Sequence, residues 1–535
     1  MGIFDSKKTA EQAVGPELLA VLPQDGLPWF KRTHLLTLNA ILMVPLLSSA
    51  AVGFDGTMMN GLQTLSTWRG YFDHPTPEML GTLNAIFPVG KLLALPVSAF
   101  LADRFGRRWP LLFGFILAIG GAALQGASQN VAMFIVSRFI LGAGTSLMSQ
   151  PSPILITELA YPTQRGQLTA LYNTFFFAGA IIAAWSTYGT FRINSTWSWR
   201  IPSLLQGAIP IIQLTFLFLV PESPRWLIAN GREDRARQVL TRFHAGGDTS
   251  SPLVNYMMKE ISENIRIEKE LKSQSRWKDL FSTAANRRRS TIAIVLGFFA
   301  QWTGSSIIAY YLTLILNTIG ITATADQALI NGLLQLFNFL VAVFAASFLV
   351  DRVGRRTLFL VGTSGMLMSY IIWTILSSYF LRTLNEALGR SVVAFVFLFF
   401  FFYDIAWIPL YQAYVVEIFP YTLRSTGLTL SLIFTYIGIL LGMFLNPIAL
   451  ARIGWRHYIT FCCTNAFVLV IIYFLFPETK GRTLEQIAEL FDGKKHSAGH
   501  VGDALERPDS NDGMDEESAV EEKGTQSHVE GKSRG

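Results

Sequence analysis

The sequence predicts an all-α membrane protein with twelve transmembrane helices in two six-helix pseudo-repeats. Of its 535 residues, 51% are hydrophobic and 41 are Phe, which is typical of a chain that crosses the membrane many times. Apolar stretches of about 20 residues, enough to cross a hydrocarbon core of roughly 30 Å, alternate with short charged turns. An internal repeat divides the chain, because Asp-Arg-Phe-Gly-Arg-Arg at 103–108 returns as Asp-Arg-Val-Gly-Arg-Arg at 351–356.

Two further motifs recur at nearly the same spacing. They are Glu158 with Arg165, repeated as Glu417 with Arg424, and Pro-Glu-Ser at 221–223, repeated as Pro-Glu-Thr at 477–479. The three motifs follow one another in the same order in each half, which chance rarely produces twice. The chain therefore consists of two related halves.

Each half contains six apolar stretches, which must be helices because every backbone polar group needs a partner within the bilayer. The predicted spans are 35–55, 81–101, 109–128, 131–152, 167–189 and 201–220, followed by 291–316, 327–350, 357–379, 391–416, 425–448 and 456–476. The first 33 residues contain acidic side chains and no apolar core segment, so we expect the first span, rather than a cleaved signal peptide, to direct insertion.

The spans divide the chain into five parts. They are a cytosolic N-terminal segment (1–34), a six-helix bundle (35–221), a cytosolic linker with short helices (222–290), a second six-helix bundle (291–477) and a cytosolic C-terminal tail (478–535). The linker shows helical spacing of charged and apolar residues. The tail from about residue 493 is rich in Glu, Ser, Gly, Asp and Lys, which predicts that it is largely disordered.

The distribution of basic residues predicts the orientation in the membrane. The net charge of +6 is modest, and Lys and Arg lie mostly in turns on one side of the membrane, so we interpret the charge as a topology signal rather than as affinity for nucleic acid. By the positive-inside rule that side and both termini are cytosolic, and we expect a multi-pass protein of the plasma membrane. The sequon at Asn194, a candidate glycosylation site, falls in an outer loop and supports this topology weakly.

Other classes of function find no support in the sequence. Cys462 and Cys463 are the only cysteines and are adjacent in an apolar stretch, so neither a disulfide framework nor a metal site is predicted. No Walker-type phosphate loop is present, so ATP is not expected to drive the protein. We expect no cofactor and no enzymatic activity.

The repeated basic turns after spans two and eight resemble those of the major facilitator superfamily. Pro-Glu-Ser-Pro-Arg-Trp-Leu at 221–227 and Pro-Glu-Thr-Lys-Gly-Arg-Thr-Leu-Glu at 477–485 are similar to motifs of its sugar porter family, and the resemblance covers roughly residues 35–490. It implies cytosolic charge networks that hold the two halves together when the cavity opens outward and separate when it opens inward. Arginines of the turns can reach carboxylates on neighbouring helices. The alternative, basic turns that only set the topology, leaves the matched acids unexplained.

The predicted network has equivalent members in both halves. They are Asp103, Arg107, Arg108, Glu158, Arg165 and Glu222 in the first half, and Asp351, Arg355, Arg356, Glu417, Arg424 and Glu478 in the second.

Charged residues inside the membrane are costly and are therefore functional candidates. Asp55, near the outer end of span one, lies in Gly-Phe-Asp-Gly-Thr, which resembles the family signature Gly-Tyr-Asp-x-Gly, and Arg138 lies about 10 Å deep in span four. The resemblance to proton-coupled porters implies that Arg138 holds deprotonated Asp55 and that protonation releases the pair. A static buried ion pair is the alternative.

Two further charges lie within predicted spans. Lys91, in span two, has three open roles: a partner for Asp55, a cavity residue that favours an acidic substrate, or a lysine solvated by cavity water. Asp404 lies in span ten, where Pro409 predicts a hinge. Their roles remain open.

Span seven carries the resemblance to a sugar site. Gln-Trp-Thr-Gly-Ser-Ser at 301–306 with Tyr310 and Tyr311 is similar to the family pattern Gln-Gln-x-Ser-Gly-x-Asn with Tyr-Tyr, but Ala300 and Ser306 replace the first Gln and the Asn. Together with Asn173 in span five, this form resembles the fungal lactose permease-like branch, which includes disaccharide carriers. Sites that recognise hydroxyl groups need amides at fixed positions. The predicted substrate-binding residues are Asn173, Gln301, Ser306, Tyr310, Tyr311, Gln335, Asn338, Trp407 as a stacking surface, and Tyr436.

The resemblance implies a secondary transporter that imports a neutral mono- or disaccharide together with a proton by alternating access, with the site near the membrane midplane. Its expected partners are the sugar, the proton and the lipid bilayer, and we expect a monomer. Three alternatives remain open: transport of a sugar acid, cyclitol or secondary metabolite; facilitated diffusion; and a transporter-like sugar sensor, which the short tail disfavours.

Overall fold

The computed structural model describes residues 16–23, 28–274, 277–344, 349, 353–420, 422–480, 486–487 and 490–491. The predictions made for Asp351, for the first 15 residues and for the tail beyond residue 491 fall outside these ranges. Within them, eleven helical stretches are long and apolar enough to cross a membrane. The last of these, Arg424–Leu475, contains two helices separated by a short turn at Gly454–Arg456. The twelve predicted membrane helices are thus confirmed.

We number the membrane helices in chain order. They are α1 Thr33–Thr64, α2 Pro77–Phe105, α3 Arg108–Gly126, α4 Val131–Leu159, α5 Arg165–Thr190, α6 Trp197–Leu219, α7 Ala284–Thr318, α8 Thr324–Phe344, α9 Arg355–Thr383, α10 Glu386–Ile418, α11 Arg424–Ile453 and α12 His457–Leu475. We call the side with the Asp-Arg-x-Gly-Arg-Arg turns the basic side, and the opposite side, where α1 ends, the far side.

The structure extends α1 well beyond the predicted span 35–55, to Thr64. The added residues 56–64 include Asn60, Gln63 and two threonines, so they lack the hydropathy of a lipid-facing segment. They are nonetheless largely buried, because they pack against helices of both halves rather than against lipid. Hydropathy alone therefore ended the predicted span too early.

Close helix crossings within the first half depend on glycine. A Cβ atom at Gly53 of α1 or at Gly179 of α5 would collide with the backbone of the facing helix, and the same is true of Gly90 in α2 and Gly142 in α4. Small residues let membrane helices approach until their backbones touch. These crossings bring α1 close to α5 and α2 close to α4, near the buried charges described below.

Helix α7 is broken in its middle. One segment ends at Trp302 and the next begins at Ser305, and Gly304 between them has a φ of +103°, a left-handed conformation that favours glycine. The hydroxyl of Tyr370 from α9 donates to the Gly304 carbonyl at 2.9 Å. A side chain of a neighbouring helix therefore supplies a hydrogen-bond donor to the carbonyl at the break.

The two halves are joined on the far side. Between described residues, the hydrogen bonds that cross from one half to the other connect Asn60, Gln63 and Thr64 of α1 with Tyr310 and Thr313 of α7 and with Thr324 and Asn331 of α8. None of them joins the basic-side ends of the halves. We call these seven residues the far-side gate, which is closed in this structure.

Short helices follow α6 on the basic side. They are Pro224–Ala229, Glu233–His244 and Pro252–Gln274. They pack against the first half: the Trp226 indole donates to the Asp103 carbonyl at 2.8 Å, and His244 Nε2 lies 3.0 Å from the Leu159 carbonyl oxygen. Burial lowers the pKa of His244 to about 4, so this histidine is neutral at physiological pH.

Candidate functional site

Asp55 and Arg138 form a buried ion pair between α1 and α4. Arg138 Nη1 donates to Asp55 Oδ1 at 3.1 Å, and the two side chains are only 2% and 1% exposed. The same carboxylate oxygen accepts a hydrogen bond from the Gln206 amide of α6. Because a buried charge without a partner is costly, a change at any one of these three residues alters the other two.

Arg138 also contacts an aromatic ring of α2. Its guanidinium lies over the ring of Phe87 in α2, 4.8 Å from the ring centroid, which adds a cation–π attraction. Its Nε has no hydrogen-bond partner among the described residues. Arg138 is therefore held by one carboxylate and one aromatic face, and retains a donor for another group.

Lys91 lies in α2, one residue after the close crossing of Gly90 with α4. Its charge interacts electrostatically with Asp55, but no carboxylate of the described residues lies within ion-pair distance of it. Asp55 therefore has two basic residues near it, and Arg138 contacts it directly whereas Lys91 does not. The structure therefore places Lys91 in the same charged cluster without making it the partner of Asp55.

The predicted motif in α7 surrounds the helix break. Ser306 donates to the Gln301 carbonyl at 3.0 Å and accepts from the Asn446 amide of α11 at 3.3 Å. The oxygen of that amide lies 3.1 Å from His457 Nε2 at the start of α12. Ser306 is therefore the end of a buried chain of hydrogen bonds that crosses α11, while Gln301 remains partly exposed.

The two tyrosines of the α7 motif differ in their surroundings. Tyr311 is fully buried and its hydroxyl donates to the Met443 carbonyl of α11 at 2.5 Å. Tyr310 is partly exposed, and its carbonyl accepts from Gln63 in the far-side gate at 3.0 Å. Tyr311 therefore ties α7 to α11, whereas Tyr310 connects the candidate site to the gate.

Helix α8 places three amides on one face. Asn331 belongs to the far-side gate, Gln335 follows one turn later, and the Asn338 amide donates to Asp404 Oδ2 of α10 at 3.3 Å. All three amides and Asp404 are buried. The two predicted residues Asn338 and Asp404 are thus in direct contact.

Three further predicted binding residues are Trp407, Asn173 and Tyr436. Trp407 is fully buried, its indole donates to Thr363 of α9 at 3.1 Å, and its ring packs edge-on against Phe359. In this state it offers no free face to a sugar ring. Asn173 of α5 is exposed and Tyr436 of α11 is partly exposed.

The basic-side motifs of the first half form a compact cluster. Arg107 donates to both carboxylate oxygens of Glu158 at 3.1 Å, and its Nη1 lies 3.8 Å from Asp103 Oδ1. The backbone N–H groups of Arg107 and Arg108 donate to Glu222 at 2.8 and 3.2 Å. Burial raises the pKa of Glu222, and the backbone donors oppose this shift.

The second half repeats this arrangement. Arg355 lies 3.4 Å from Glu417, and the N–H groups of Arg355 and Arg356 donate to Glu478 at 2.7 and 3.1 Å. Arg165 and Arg424 begin α5 and α11. Each hydrogen bond and ion pair named here for the two clusters joins residues of the same half.

The sequence analysis missed several polar residues. They are Gln206, Asn446 and His457, and, in the far-side gate, Asn60, Gln63, Thr313 and Asn331. Each lies within or beside a predicted apolar span, where an amide or imidazole needs a partner. That signal was available for Gln206, Asn331, Asn446 and His457, which lie inside predicted spans. The candidate glycosylation site Asn194 is exposed in the loop between α5 and α6.

This architecture, two six-helix halves with repeated basic turns and a buried charge pair, is that of a membrane transporter of the major facilitator superfamily. Residues 41–491 match the family described as "Sugar (and other) transporter", and the chain belongs to that family. Its members are transporters, so the expectation that the chain is not an enzyme is confirmed, as is its nature as a multi-pass membrane protein.

Similar proteins include fungal transporters. The chain is 31% identical over 448 residues to the MFS-type transporter oryC of Aspergillus oryzae, which covers 82% of each chain. It is 28% identical to the high-affinity glucose transporter of Kluyveromyces lactis over 89% of this chain and 88% of that one. Among solved structures, the inward-open conformation of the xylose transporter XylE from E. coli matches 85% of this chain and 100% of its own, with a TM-score of 0.71 and 22% identity.

Proposed function

We propose that this chain imports a neutral mono- or disaccharide together with a proton, as a monomer in the plasma membrane, with its basic side and both termini in the cytosol. The observation that carries the proposal is the buried ion pair of Asp55 and Arg138. The proposal extends the family assignment in five respects: the driving ion, the cargo, the oligomeric state, the membrane and the orientation.

Proton coupling rests on the chemistry of the Asp55 cluster. A proton that binds Asp55 removes the charge that attracts Arg138, and frees the guanidinium for another partner such as a substrate oxygen. In the present arrangement the ion pair is formed and the far-side gate is closed. This combination fits a transporter that has released its proton and its cargo to the cytosol.

A sugar cargo is supported by the residues around the break in α7. Gln301 and Tyr310 are partly exposed and Asn173 is exposed, and amides and phenols are suited to bind hydroxyl groups. Curated relatives include proteins named as transporters of glucose and hexose. The resemblance to the lactose permease-like branch further supports disaccharides as candidates.

The position of the closed gate indicates which state of an alternating-access cycle the structure represents. The far-side gate is built from contacts between halves, whereas the Arg107–Glu158 and Arg355–Glu417 pairs on the basic side each join helices of one half. If the basic side is cytosolic, the structure corresponds to the inward-facing state of an importer. Opening of the far-side gate would then admit the sugar and proton from outside.

An acidic cargo is the second candidate, and Lys91 is the observation that favours it. Lys91 and Arg138 give the cluster two positive charges against one negative charge from Asp55. A carboxylate on the substrate would balance this excess. Comparing the uptake of galacturonate with that of a neutral sugar of similar size distinguishes these cargoes.

The proposal is tested by uptake of labelled glucose, xylose, lactose, cellobiose and galacturonate into transporter-deficient yeast, with and without an uncoupler. We expect accumulation of a neutral sugar that the uncoupler abolishes. Asp55→Asn should abolish uphill accumulation but retain exchange, while the exposed control Asp326→Asn should retain both. Accumulation of substrate by Asp55→Asn would show that proton coupling at Asp55 is wrong, and uptake of galacturonate alone would favour the acidic cargo.

A further inference from the structure

Asp404 occupies an unusual position in the second half. It lies in the middle of α10 and its side chain is fully buried. Within the described ranges of α7 to α12, every other Asp, Glu, Lys and Arg lies within the first or last two turns of its helix. The centre of the second half thus holds one carboxyl group and no basic side chain to balance it.

The immediate contacts of Asp404 do not compensate a negative charge. The Asn338 amide donates to Oδ2 at 3.3 Å, and Oδ1 has no hydrogen-bond partner among the described residues. Asp55 in the first half, by contrast, has both a guanidinium and an amide. A buried carboxylate without a countercharge is strongly disfavoured, and binding a proton removes that charge.

The helices that pack against α10 offer no other group that titrates near neutral pH. The titratable side chains around Asp404 are phenols. Tyr403 of α10 interacts electrostatically with Asp404, with Tyr310 of α7 and with Tyr411 of α10. Tyr411 interacts in turn with Tyr436 of α11, and Tyr370 of α9 packs against Phe399 of α10. Helix α8 contributes the uncharged amides Gln335 and Asn338. A proton taken up in this region therefore belongs to Asp404.

Asp404 is linked to the far-side gate through α8. Asn331 and Asn338 are seven residues apart, so they lie on the same face of the helix, with Gln335 between them. Asn331 accepts from Asn60 across the halves at 3.3 Å, and Asn338 contacts Asp404. One helix face thus joins the carboxyl group to the hydrogen bond that closes the gate.

We propose that Asp404 is a second proton-binding site, occupied while the far-side gate is closed. When the proton leaves, the carboxylate needs water or a countercharge, and the buried packing of α10 against α8 becomes unfavourable. The packing that positions Asn331 is then weakened, so the gate opens more readily. This site is separate from the Asp55 cluster and does not require that sugar transport is proton-coupled.

The first test detects the proton itself by infrared spectroscopy of the purified chain in lipid vesicles. We expect a carbonyl band of a buried protonated carboxyl group at neutral pH, which Asp404→Asn removes and Asp55→Asn retains. Asn338→Leu should shift this band to higher frequency, because the carboxyl group loses its hydrogen-bond donor. An unchanged carboxyl spectrum in Asp404→Asn overturns the proposal. If that variant does not fold, an Asn338→Leu spectrum identical to the wild type overturns it.

The second test measures the gate. Thr64→Cys, in a chain whose Cys462 and Cys463 are replaced by Ser, is labelled from the far side with an impermeant maleimide. The substitution keeps the Thr64 carbonyl that accepts from Thr324. Because thiol reactivity itself rises with pH, labelling is measured relative to that of a free thiol at the same pH. We expect this relative labelling to rise several-fold as the pH increases. The relative rise should be lost in Asp404→Asn but kept in Asp55→Asn. The same rise in Asp404→Asn would overturn the link to the gate.

The two proposals fail in different ways. If the wild type shows no uncoupler-sensitive uptake, proton-coupled import is contradicted while the infrared band and the labelling are unaffected. If uptake is uncoupler-sensitive but the Asp404→Asn spectrum and labelling match the wild type, only the second proton site is contradicted.

Discussion

Asn60 of α1 donates to Asn331 of α8 at 3.3 Å, and this hydrogen bond joins the two halves of the chain across the far side. Thr313 of α7 also donates to the Asn60 carbonyl, at 3.2 Å. Asn60 lies five residues after Asp55 in the same helix, α1. The gate is thus physically continuous with the first of the two buried acids.

We therefore expect Asn60→Ala to favour opening of the far-side gate. Loss of a buried amide contact costs about 1 kcal/mol, or roughly a fivefold change in the equilibrium. Labelling of Thr64→Cys from the far side measures this change. Asn39→Ala is the matched control, because Asn39 makes an equivalent amide contact with Gln164 within the first half at 3.1 Å. Equal labelling of the two variants would contradict the gate.

The chain of hydrogen bonds from Ser306 to His457 predicts an effect on substrate binding. Asn446→Leu removes the amide between them, so Ser306 loses its donor and the position of the second α7 segment is less well defined. We expect the KM for uptake to rise about 5- to 30-fold, equivalent to roughly 1–2 kcal/mol. Asn39→Leu serves as the control. An unchanged KM would show that Asn446 does not support the binding site.

Arg107 and Glu158 should contribute to both stability and turnover. Their side chains are 13% and 10% exposed, so Arg107→Ala leaves a largely buried carboxylate, at a cost of about 2–3 kcal/mol. We expect a lower melting temperature and slower transport with unchanged sugar preference. Arg390→Ala is the matched control, because its ion pair with Glu386 is mostly exposed and such pairs contribute under about 1 kcal/mol. Similar losses in both variants would contradict this interpretation.

His244 predicts a stability that depends on pH. Its pKa in the folded protein is about 4, below the ordinary value of 6.5, because burial disfavours the charged ring. The contribution of neutral His244 is present above pH 6.5 and is lost as the pH falls from 6.5 to 4, by on the order of 3 kcal/mol.

Thermal unfolding of the purified protein across this pH range measures the effect. His244→Gln should flatten the loss of stability, whereas the exposed control His74→Gln should retain it. A wild-type melting temperature that is constant from pH 6.5 to 4 would contradict the buried neutral histidine.

The sequence was sufficient to predict the helices and their pairing into two halves, because hydropathy and an internal repeat report on both. It also singled out Asp55 and Arg138, since charges in apolar spans are rare and need partners. Their direct contact is what the resemblance led us to expect, while their role in proton coupling stays a prediction.

The rotation of each helix about its axis could not be predicted from the sequence. Helix α10 is apolar on almost every face, so no periodicity distinguishes the side that faces the cavity from the side that packs on α9. We expected Trp407 to face a ligand, yet its indole is bound to Thr363. Likewise, the contact of Asn60 with Asn331 joins residues 271 positions apart, and only the assembled fold shows which distant amides meet.

The chemical character of the far-side gate has a consequence for the environment in which the protein works. Its bonds connect neutral amides, hydroxyls and carbonyls, whereas the basic-side clusters connect full charges. Dissolved ions weaken the attraction between exposed charges, which decays over about 10 Å at 0.1 M salt. They leave neutral hydrogen bonds almost unchanged. We therefore expect closure of the far-side gate to change little with the salt concentration of the solution that this side faces.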